Sequence, residues 1–284
     1  MSRLLVFGRS GQVARALQGL APEATFLDRA AVDLADPAAC AAAIAAHQPQ
    51  MVINAAAFTA VDRAEEEEVL ATKINGDAPG AMAQECARAN VPFVHISTDY
   101  VFPGDGTAPW QPDDATAPLN AYGRSKLAGE NLVRAAHGAH VILRTSWVFS
   151  ARGQNFVRTM LRLSASHKAL RVVDDQIGGP TPAADIAWAC LKIARALRAD
   201  PAKSGTYHYS GASDVSWKGF AQEIFAQSGK DVEVSGIATA DYPTPAPRPL
   251  NSRLECHATK AAFGLERPDW RAGLARVLAE LREL

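Results

Sequence analysis

A tyrosine and a lysine stand four positions apart in the stretch NAYGRSKLAGE, at the start of a predicted helix. Residues at i and i+4 share one helix face, so the amine of Lys126 can lie below the phenol of Tyr122. A cation there would lower the pKa of the phenol from about 10 toward neutral pH. The pair is therefore a candidate proton donor with its anchoring lysine, suited to carbonyl chemistry.

Two hydroxyl residues, Ser97 and Thr98, end an apolar run upstream of this helix, PFVHIST. If the run is a parallel strand, both side chains emerge at the carboxyl edge of the sheet, where open α/β folds bind their ligands. A hydroxyl from that edge can bond a substrate oxygen while Tyr122 protonates it and Lys126 holds the nicotinamide ribose. The three groups together predict a carbonyl reduction site.

The elements that must position these residues alternate along the first half of the chain. Short apolar runs at 3–8, 24–28, 50–57, 92–98 and 140–149 are separated by segments with helical periodicity. Such alternation predicts an α/β fold, a doubly wound parallel sheet of the Rossmann-like kind, with a smaller C-terminal substrate-binding domain. We expect residues 1–150, joined by part of 170–200, to form the dinucleotide-binding domain and 151–284 to be mainly substrate-binding.

A glycine-rich turn, GRSGQVA, links the first strand to the first helix. Glycines at positions 8 and 11 let the backbone approach a pyrophosphate, whose charge meets the free N–H groups of the helix N-terminus. Ala14 replaces the third glycine of this fingerprint, which mainly serves packing of helix on strand. We predict a dinucleotide site, and its expected residues here are Gly8, Ser10, Gly11, Gln12 and Val13.

Two neighbouring residues at the end of the second strand give opposite indications of the cofactor. Asp28 is placed to accept hydrogen bonds from a ribose 2′-OH, as NAD requires, whereas Arg29 suits the 2′-phosphate of NADP. We expect NADPH, with NADH also usable. Asp33 and Leu34 are expected at the adenine, although Asp33 could equally cap the next helix. The small residues Ala55, Ala56 and Ala57 leave room for the cofactor across the sheet.

Composition excludes several classes of function. The 284 residues carry 29 basic and 30 acidic side chains, so no strong positive field attracts nucleic acid. The apolar stretch at the N-terminus is too short for a signal peptide, and no run of 18 apolar residues follows. We therefore expect a cytoplasmic protein without a nucleic-acid or membrane partner. The four cysteines and seven histidines lack metal-ligand spacing, so we predict no metal site.

Three further features have both a functional and a plain interpretation. Arg248 lies in the proline-rich stretch YPTPAPRPLNSRL and is a candidate diphosphate ligand, although the stretch could be a surface linker. Trp147 could stack on a sugar or fill a core. The acidic run Glu65 to Glu68 is expected to be a solvated helix face.

The ordered series GRSGQVA, NAAAFTAVDRAE, STDYVFPG, PLNAYGRSKLAGE, RTSWVF, DDQIGGPT and YPTPAPRPLNSRL resembles dTDP-4-dehydrorhamnose reductases of the extended short-chain dehydrogenase/reductase group. The resemblance covers residues 3 to about 281. It implies hydride transfer from NAD(P)H to the C4 ketone of dTDP-4-dehydro-β-L-rhamnose, with Thr98 as hydroxyl partner, Tyr122 as proton donor and Lys126 as cofactor anchor. The substrate residues that the resemblance implies are Thr59, Val61, Trp147, Asp175, Gln176 and Arg248.

One departure and two alternatives accompany this resemblance. Some members bridge a homodimer through Mg²⁺ with an acidic residue of the first helix, where this chain has Ala16. A homodimer stays an open expectation, and a Mg²⁺ bridge is not predicted. The alternatives are another nucleotide-sugar epimerase or dehydratase, for which Asp99 could supply the acid, and a non-catalytic NADP-binding regulatory subunit. Such a subunit would usually have lost Tyr122 or Lys126, and both are present.

Overall fold

The computed structural model describes residues 3–283, and most of its strands are short and buried. The strands are β1 (Leu4–Phe7), β2 (Thr25–Leu27), β3 (Met51–Asn54), β4 (Phe93–Thr98), β5 (His140–Thr145), β6 (Val148–Phe149), β7 (Ala169–Val173), β8 (Ile177–Gly178), β9 (Thr181–Pro182), β10 (Gly205–His208), β11 (Val215–Ser216), β12 (Glu233–Ile237) and β13 (Asn251–Ser252). The α-helices are α1 (Gln12–Leu20), α2 (Pro37–His47), α3 (Val61–Glu66), α4 (Glu68–Thr72), α5 (Ala78–Arg88), α6 (Ala121–Ala135), α7 (Phe156–Leu163), α8 (Ala183–Ala199), α9 (Trp217–Ser228), α10 (His257–Phe263) and α11 (Trp270–Glu283).

Six of these strands form one parallel sheet in the order β10-β5-β4-β3-β1-β2. The chain winds outward from β1 in both directions, which places a topological switch between β1 and β3. All four residues of β1 are buried, as expected for a strand covered on both faces. The predicted doubly wound α/β fold is confirmed.

Helices cover both faces of this sheet. One apolar cluster joins alternate strand residues, such as Val6 and Ile53, to α1 and α8. A second cluster joins the intervening residues, such as Phe7 and Val52, to α2 and α5. Although α8 and β10 lie late in the chain, they complete the sheet that the N-terminal half begins. The helices thus bury both faces and leave the carboxyl edges of the strands free to carry a site.

A third apolar cluster is built from α7, α9, α11 and the strands near them, with Phe220 and Trp270 fully buried at its centre. The smaller sheets here are of two or three strands, including β11-β8-β13 and β12-β7. The last helix lies against this cluster, with Leu274, Val277 and Leu278 buried. The domain boundary expected near residue 150 stays a prediction.

Two predicted elements are interrupted. The strand expected over 140–149 is broken between β5 and β6, because Trp147 has a φ of +49°, which is incompatible with an extended strand. The helical segment expected between the apolar runs at 50–57 and 92–98 is divided into α3, α4 and α5, with a π-helical turn at Lys73–Asp77. The π-helical turn places Asn75 in the interior, where its side chain bonds the Phe58 backbone and the hydroxyl of Ser125 on α6.

Candidate active site

The glycine turn after β1 approaches the end of β3 closely. Gly8 has a φ of +110°, and a Cβ built there would lie 3.2 Å from backbone atoms of Ala55. Only glycine fits this position without strain. Gly11 precedes α1, and no side chain caps that helix. The first N–H groups of α1 therefore face the switch point between β1 and β3 and are available to an anionic ligand.

Beside this turn is a cleft of about 470 Å³ with a largely basic lining. Its lining residues are Arg9, Ser10, Arg15, Gln18, Asp28, Arg29 and Ala30. The Asp28 carboxylate accepts the backbone N–H groups of Ala30 and Ala31, at 3.1 and 3.0 Å, and lies 3.4 Å from the Arg9 guanidinium. Three arginines thus line the cleft, and its one carboxylate already has partners.

The other predicted cofactor residues lie around the same edge, with one correction. The expectation that Asp33 could cap the following helix is wrong, because Asp36 accepts the Ala39 N–H as the N-cap of α2. The Asp33 carboxylate instead accepts the Ala35 N–H at 2.9 Å and lies 3.4 Å from Arg29. Leu34 packs on the buried cluster beneath α2. Val13 is buried in α1, while Ala56 and Ala57 follow β3 at the switch point.

The three proposed catalytic side chains converge on the carboxyl edge of β4. Thr98 ends β4 and donates its hydroxyl to Asp99 at 3.0 Å. Tyr122 and Lys126 come from the first two turns of α6, whose N-cap Asn120 accepts the Gly123 N–H. The ring of Tyr122 contacts that of Tyr100 edge to face at 5.6 Å. One strand and one capped helix therefore fix the geometry of this edge.

The pKa of Tyr122 differs from the sequence prediction. Burial and the neighbouring Asp99 charge raise the pKa of the phenol above its ordinary value, with the Thr98 hydroxyl acting in the opposite direction. The expected lowering by Lys126 is wrong, because the Lys126 amine is held by β4, donating to the Ile96 carbonyl at 2.6 Å. A phenol in this environment stays protonated at neutral pH.

Asp99 is a buried carboxyl group beside the hydroxyls of Thr98 and Tyr122. Burial raises its pKa to about 6, against hydrogen bonds from Ser252 and Thr98. Its second oxygen, Oδ2, is shielded from solvent and has no hydrogen-bond partner among the described residues. An unpaired buried acceptor costs free energy.

A buried ion pair lies one turn beyond Lys126 on α6. The Glu130 carboxylate accepts two hydrogen bonds from Arg144, at 2.9 and 2.7 Å, and one from the Ser97 hydroxyl at 2.6 Å. Arg134 adds a bond of 2.7 Å from the surface side. Burial alone would raise the pKa of Glu130, but Arg144 holds it below the ordinary value. This cluster ties α6 to β4 and β5, the elements that carry the site.

The acidic run before α6 is not a plain solvated face. Glu65 accepts the Ala121 N–H at 2.7 Å, and Glu68 forms two bonds with Arg124, at 2.7 and 2.8 Å. The interpretation of this run as solvent-facing is therefore wrong for Glu65, whereas Glu68, 41% exposed at its side chain, lies on a solvated face as expected. Both carboxylates lie near the N-terminal end of α6, where they complement the helix dipole and fix the turn that carries Tyr122.

Arg248 lies against α3 and not in a surface linker. Its Nη2 donates to Asp62 at 2.8 Å, and the same carboxylate oxygen accepts the Ala246 N–H. Its Nη1 is buried without a hydrogen-bond partner among residues 3–283. Both Ala246 and Asn251 are buried. The interpretation of this stretch as a surface linker is wrong, and one guanidinium donor is left without an acceptor.

The remaining predicted substrate residues fall into two groups. Trp147 stacks on Trp217, with ring centroids 3.6 Å apart, and the Trp217 indole N–H donates to Gln176 at 3.1 Å. Asp175 accepts the backbone N–H and the hydroxyl of Thr239. By contrast, Thr59 is exposed in the loop after β3, and half-buried Val61 begins α3. The Trp147 group and the α3 group thus belong to separate elements.

Several residues of this edge were missed by sequence reasoning. Arg9 lines the basic cleft, and Asp62 holds Arg248. Asn54 and His95 are buried side chains that lead to Lys126. A signal for the last two was present, since an amide and an imidazole interrupt otherwise apolar strands.

Two other kinds of feature are absent from the described residues. Within residues 3–283 no group of three or more His, Cys, Asp or Glu side chains is arranged to hold a metal ion. No described helix is both long and apolar enough to cross a membrane.

The chain matches the family model described as RmlD substrate binding domain over residues 2–283. A relative from Sinorhizobium fredii called dTDP-4-dehydrorhamnose reductase is 42% identical, and the match covers 97% of this chain and 96% of that protein. The crystal structure of such a reductase from Clostridium acetobutylicum is 35% identical, with a TM-score of 0.92 and 99% of both chains covered. Another, from Bacillus anthracis in complex with NADP, is 34% identical, with a TM-score of 0.91 and coverage of 98% and 99%. The chain belongs to the dTDP-4-dehydrorhamnose reductase family, as the resemblance of its motifs predicted.

Proposed function

We propose that this chain is an NAD(P)H-dependent oxidoreductase that reduces the C4 ketone of dTDP-4-dehydro-β-L-rhamnose to dTDP-β-L-rhamnose, in dTDP-rhamnose and cell-surface polysaccharide biosynthesis. The observation that carries the proposal is the convergence of Thr98, Tyr122 and Lys126 at one sheet edge beside a glycine turn. The names of the relatives and the NADP of the Bacillus anthracis protein support it.

The residues around β1 fit a nicotinamide dinucleotide. The close approach of Gly8 to Ala55 leaves no room for a side chain, and α1 has no side-chain cap, so a pyrophosphate can occupy the helix N-terminus. We infer that Gly8, Ser10, Gly11, Gln12 and Val13 hold that part of the cofactor. When bound, the cofactor supplies the hydride.

The protein supplies a proton and an orientation for the ketone. Tyr122, whose phenol is protonated at neutral pH, donates its phenolic proton to the oxygen of the ketone as the alcohol forms. The Thr98 hydroxyl lies beside it and can hydrogen-bond the same oxygen. Lys126 is fixed on β4 and is assigned to the nicotinamide ribose. The two hydroxyls thus favour the developing negative charge on oxygen.

The nucleotide and sugar of the substrate are assigned to Thr59, Val61, Trp147, Asp175, Gln176 and Arg248. The buried and unpaired Nη1 of Arg248 supports a diphosphate or sugar acceptor near this guanidinium, because a donor without a partner is costly. Trp147 presents an indole that Trp217 supports by stacking. A sugar ring fits such an aromatic face.

The assay follows cofactor oxidation at 340 nm with purified protein and dTDP-4-dehydro-β-L-rhamnose, with Tyr122→Phe beside the native chain. We expect turnover by the native protein and a loss of about a hundredfold or more in the variant, because the proton donor is gone. Tyr207→Phe is the matched control. The Tyr207 hydroxyl, on β10, donates to the Lys203 carbonyl and lies outside the proposed site. No turnover with either cofactor, while both bind, would reject the substrate and favour the regulatory subunit or a sibling enzyme.

We further propose NADPH as the preferred cofactor, with NADH also accepted. Arg9, Arg15 and Arg29 all line the cleft, and Asp28 is already bonded to backbone amides. Arg9→Ala should raise KM for NADPH about tenfold or more and leave KM for NADH nearly unchanged, since only NADPH carries the 2′-phosphate. Arg88→Ala, which removes an exposed arginine of α5, is the control. Equal changes for both cofactors would contradict the assignment.

Assembly and location are inferred separately. A homodimer is proposed from the family resemblance alone. No Mg²⁺ bridge is proposed, because Ala16 stands where some members have an acidic residue. Multi-angle light scattering would measure the mass of the assembly. A location in the cytoplasm is likewise a prediction, which fractionation of cells that express the chain would test.

A further inference from the structure

Three buried side chains form a chain of contacts that ends at Lys126. Asn54 ends β3, His95 lies in the middle of β4, and Lys126 reaches them from α6. The Asn54 amide nitrogen is 3.2 Å from His95 Nδ1, and His95 Nε2 is 3.3 Å from Lys126 Nζ. All three residues are at most 2% exposed, so water cannot replace a poor partner.

The backbone fixes the direction of these hydrogen bonds. The Ala56 N–H can only donate, and it meets Asn54 Oδ1 at 3.1 Å. The amide NH₂ of Asn54 must therefore face His95 Nδ1 as a donor. Burial, the larger of the two causes, holds the pKa of His95 well below its ordinary value, so the imidazole is neutral. A neutral imidazole that accepts at Nδ1 carries its hydrogen on Nε2.

The Nε2–H of His95 then points at the amine of Lys126. An ammonium group has three donors and no acceptor, so the charged form places two donors against each other. The uncharged amine has a lone pair that can accept the Nε2–H. The second partner of Nζ, the Ile96 carbonyl at 2.6 Å, is satisfied by either form. The contact with His95 is therefore the one that distinguishes the two protonation states.

The charges around Lys126 do not reverse this preference. Burial lowers the pKa of Lys126 to about 8, while Glu130 acts in the opposite direction. The Glu130 carboxylate is itself neutralised by Arg144 and Arg134. The remaining titratable groups of the edge are Tyr122 on α6, which stays protonated, and Asp99 after β4, whose burial raises its pKa to about 6.

We propose that His95, oriented by Asn54, is a positioning residue that favours the uncharged amine of Lys126 by presenting its Nε2–H, and thereby sets the pH range in which Lys126 is charged. The inference deepens the proposed function, since Lys126 is its cofactor anchor. The contact itself exists whether or not the substrate is the one proposed.

The tautomer can be measured without any turnover. Long-range ¹H–¹⁵N spectra of the full native chain, labelled at histidine, distinguish a protonated Nε2 from a protonated Nδ1. We expect His95 to carry its hydrogen on Nε2 near neutral pH. A hydrogen on Nδ1, or an imidazolium, would overturn the proposal.

Two variants test the effect on the lysine, whose titration is followed by the ¹³Cε signal of Lys126. His95→Phe keeps a flat ring but removes the N–H, so the titration midpoint should rise by about one pH unit. In Asn54→Asp, the new carboxylate accepts hydrogen bonds from both the Ala56 N–H and the Nδ1–H of His95. The Nε2 of His95 then carries no hydrogen and can accept one from the Lys126 ammonium. Its midpoint should rise at least as far, and its tautomer should reverse.

His140→Phe is the matched control, because His140 lies at the opposite end of the sheet, where β5 begins. It should leave the Lys126 midpoint unchanged. An unchanged Lys126 titration midpoint in His95→Phe would refute the proposal. If His95→Phe does not fold, the midpoint of Asn54→Asp decides the question instead. The alkaline limb of kcat/KM should move with the midpoint in the same variants. If the spectra are as expected but the protein shows no turnover, the proposed function is contradicted and this inference still holds.

Discussion

Helix α6 carries two buried polar centres one turn apart, and they differ in how well their hydrogen bonds match. Every donor around Glu130, from Ser97, Arg144 and Arg134, meets a carboxylate oxygen. Lys126 instead faces one carbonyl and an imidazole that is poorly suited to its charged form. A fully matched centre holds one charge and one geometry, whereas a mismatched centre leaves its charge responsive to the surroundings. The first anchors the helix and the second remains adjustable.

The largest effect is expected from breaking the matched centre. Glu130→Gln leaves the buried Arg144 without a counter-charge, and such a loss costs about 3 kcal/mol or more in the free energy of unfolding. Because the folded pKa of Glu130 is lowered, its contribution is present above the unfolded pKa and is lost as the pH falls through the folded one. Denaturant unfolding at neutral pH and near pH 3 should therefore show a difference that shrinks with acidity. An equal difference at both pH values would contradict the ion pair.

The smallest effect is expected at the outer partner of the same carboxylate. Arg134 is 37% exposed at its side chain, so Arg134→Ala should cost less than about 1 kcal/mol. Added salt should reduce even this difference, since water screens the exposed side of the pair. Unfolding of this variant at low and high salt makes the measurement. A cost as large as that of Glu130→Gln would mean that the buried part of the centre does not dominate.

The parts of the fold that sequence predicted correctly depend on local patterns. A short apolar run followed by Gly8 and a helical period predicts a strand, a turn and a helix regardless of what packs on them. The strand broken at Trp147 was not predicted, because a left-handed tryptophan depends on its tertiary surroundings: its indole packs against Gly178 and stacks on Trp217. Local propensity cannot represent such contacts.

The same distinction applies to the site. Spacing was enough to place Tyr122 and Lys126 on one helix, since that follows from helical geometry alone. The pKa of the phenol was predicted in the wrong direction, because burial and Asp99 outweigh a cation that another strand holds. The chain from Asn54 to Lys126 joins three elements distant in sequence, so only the fold brings it together. Electrostatics at this edge is therefore a property of the tertiary structure.

One side chain joins the two ends of the site. Gln12, in the first turn of α1, accepts hydrogen bonds from Ser150 and Asn155 at 2.9 and 3.0 Å, and its amide lies 3.4 Å from the Val148 carbonyl. A ligand that shifts this turn must also work against the segment that follows Trp147. Linkage makes any such coupling reciprocal: the factor by which a dinucleotide changes affinity for the sugar nucleotide is the factor by which the sugar nucleotide changes affinity for the dinucleotide. Gln12 thus provides a direct contact through which the two proposed binding sites would be coupled.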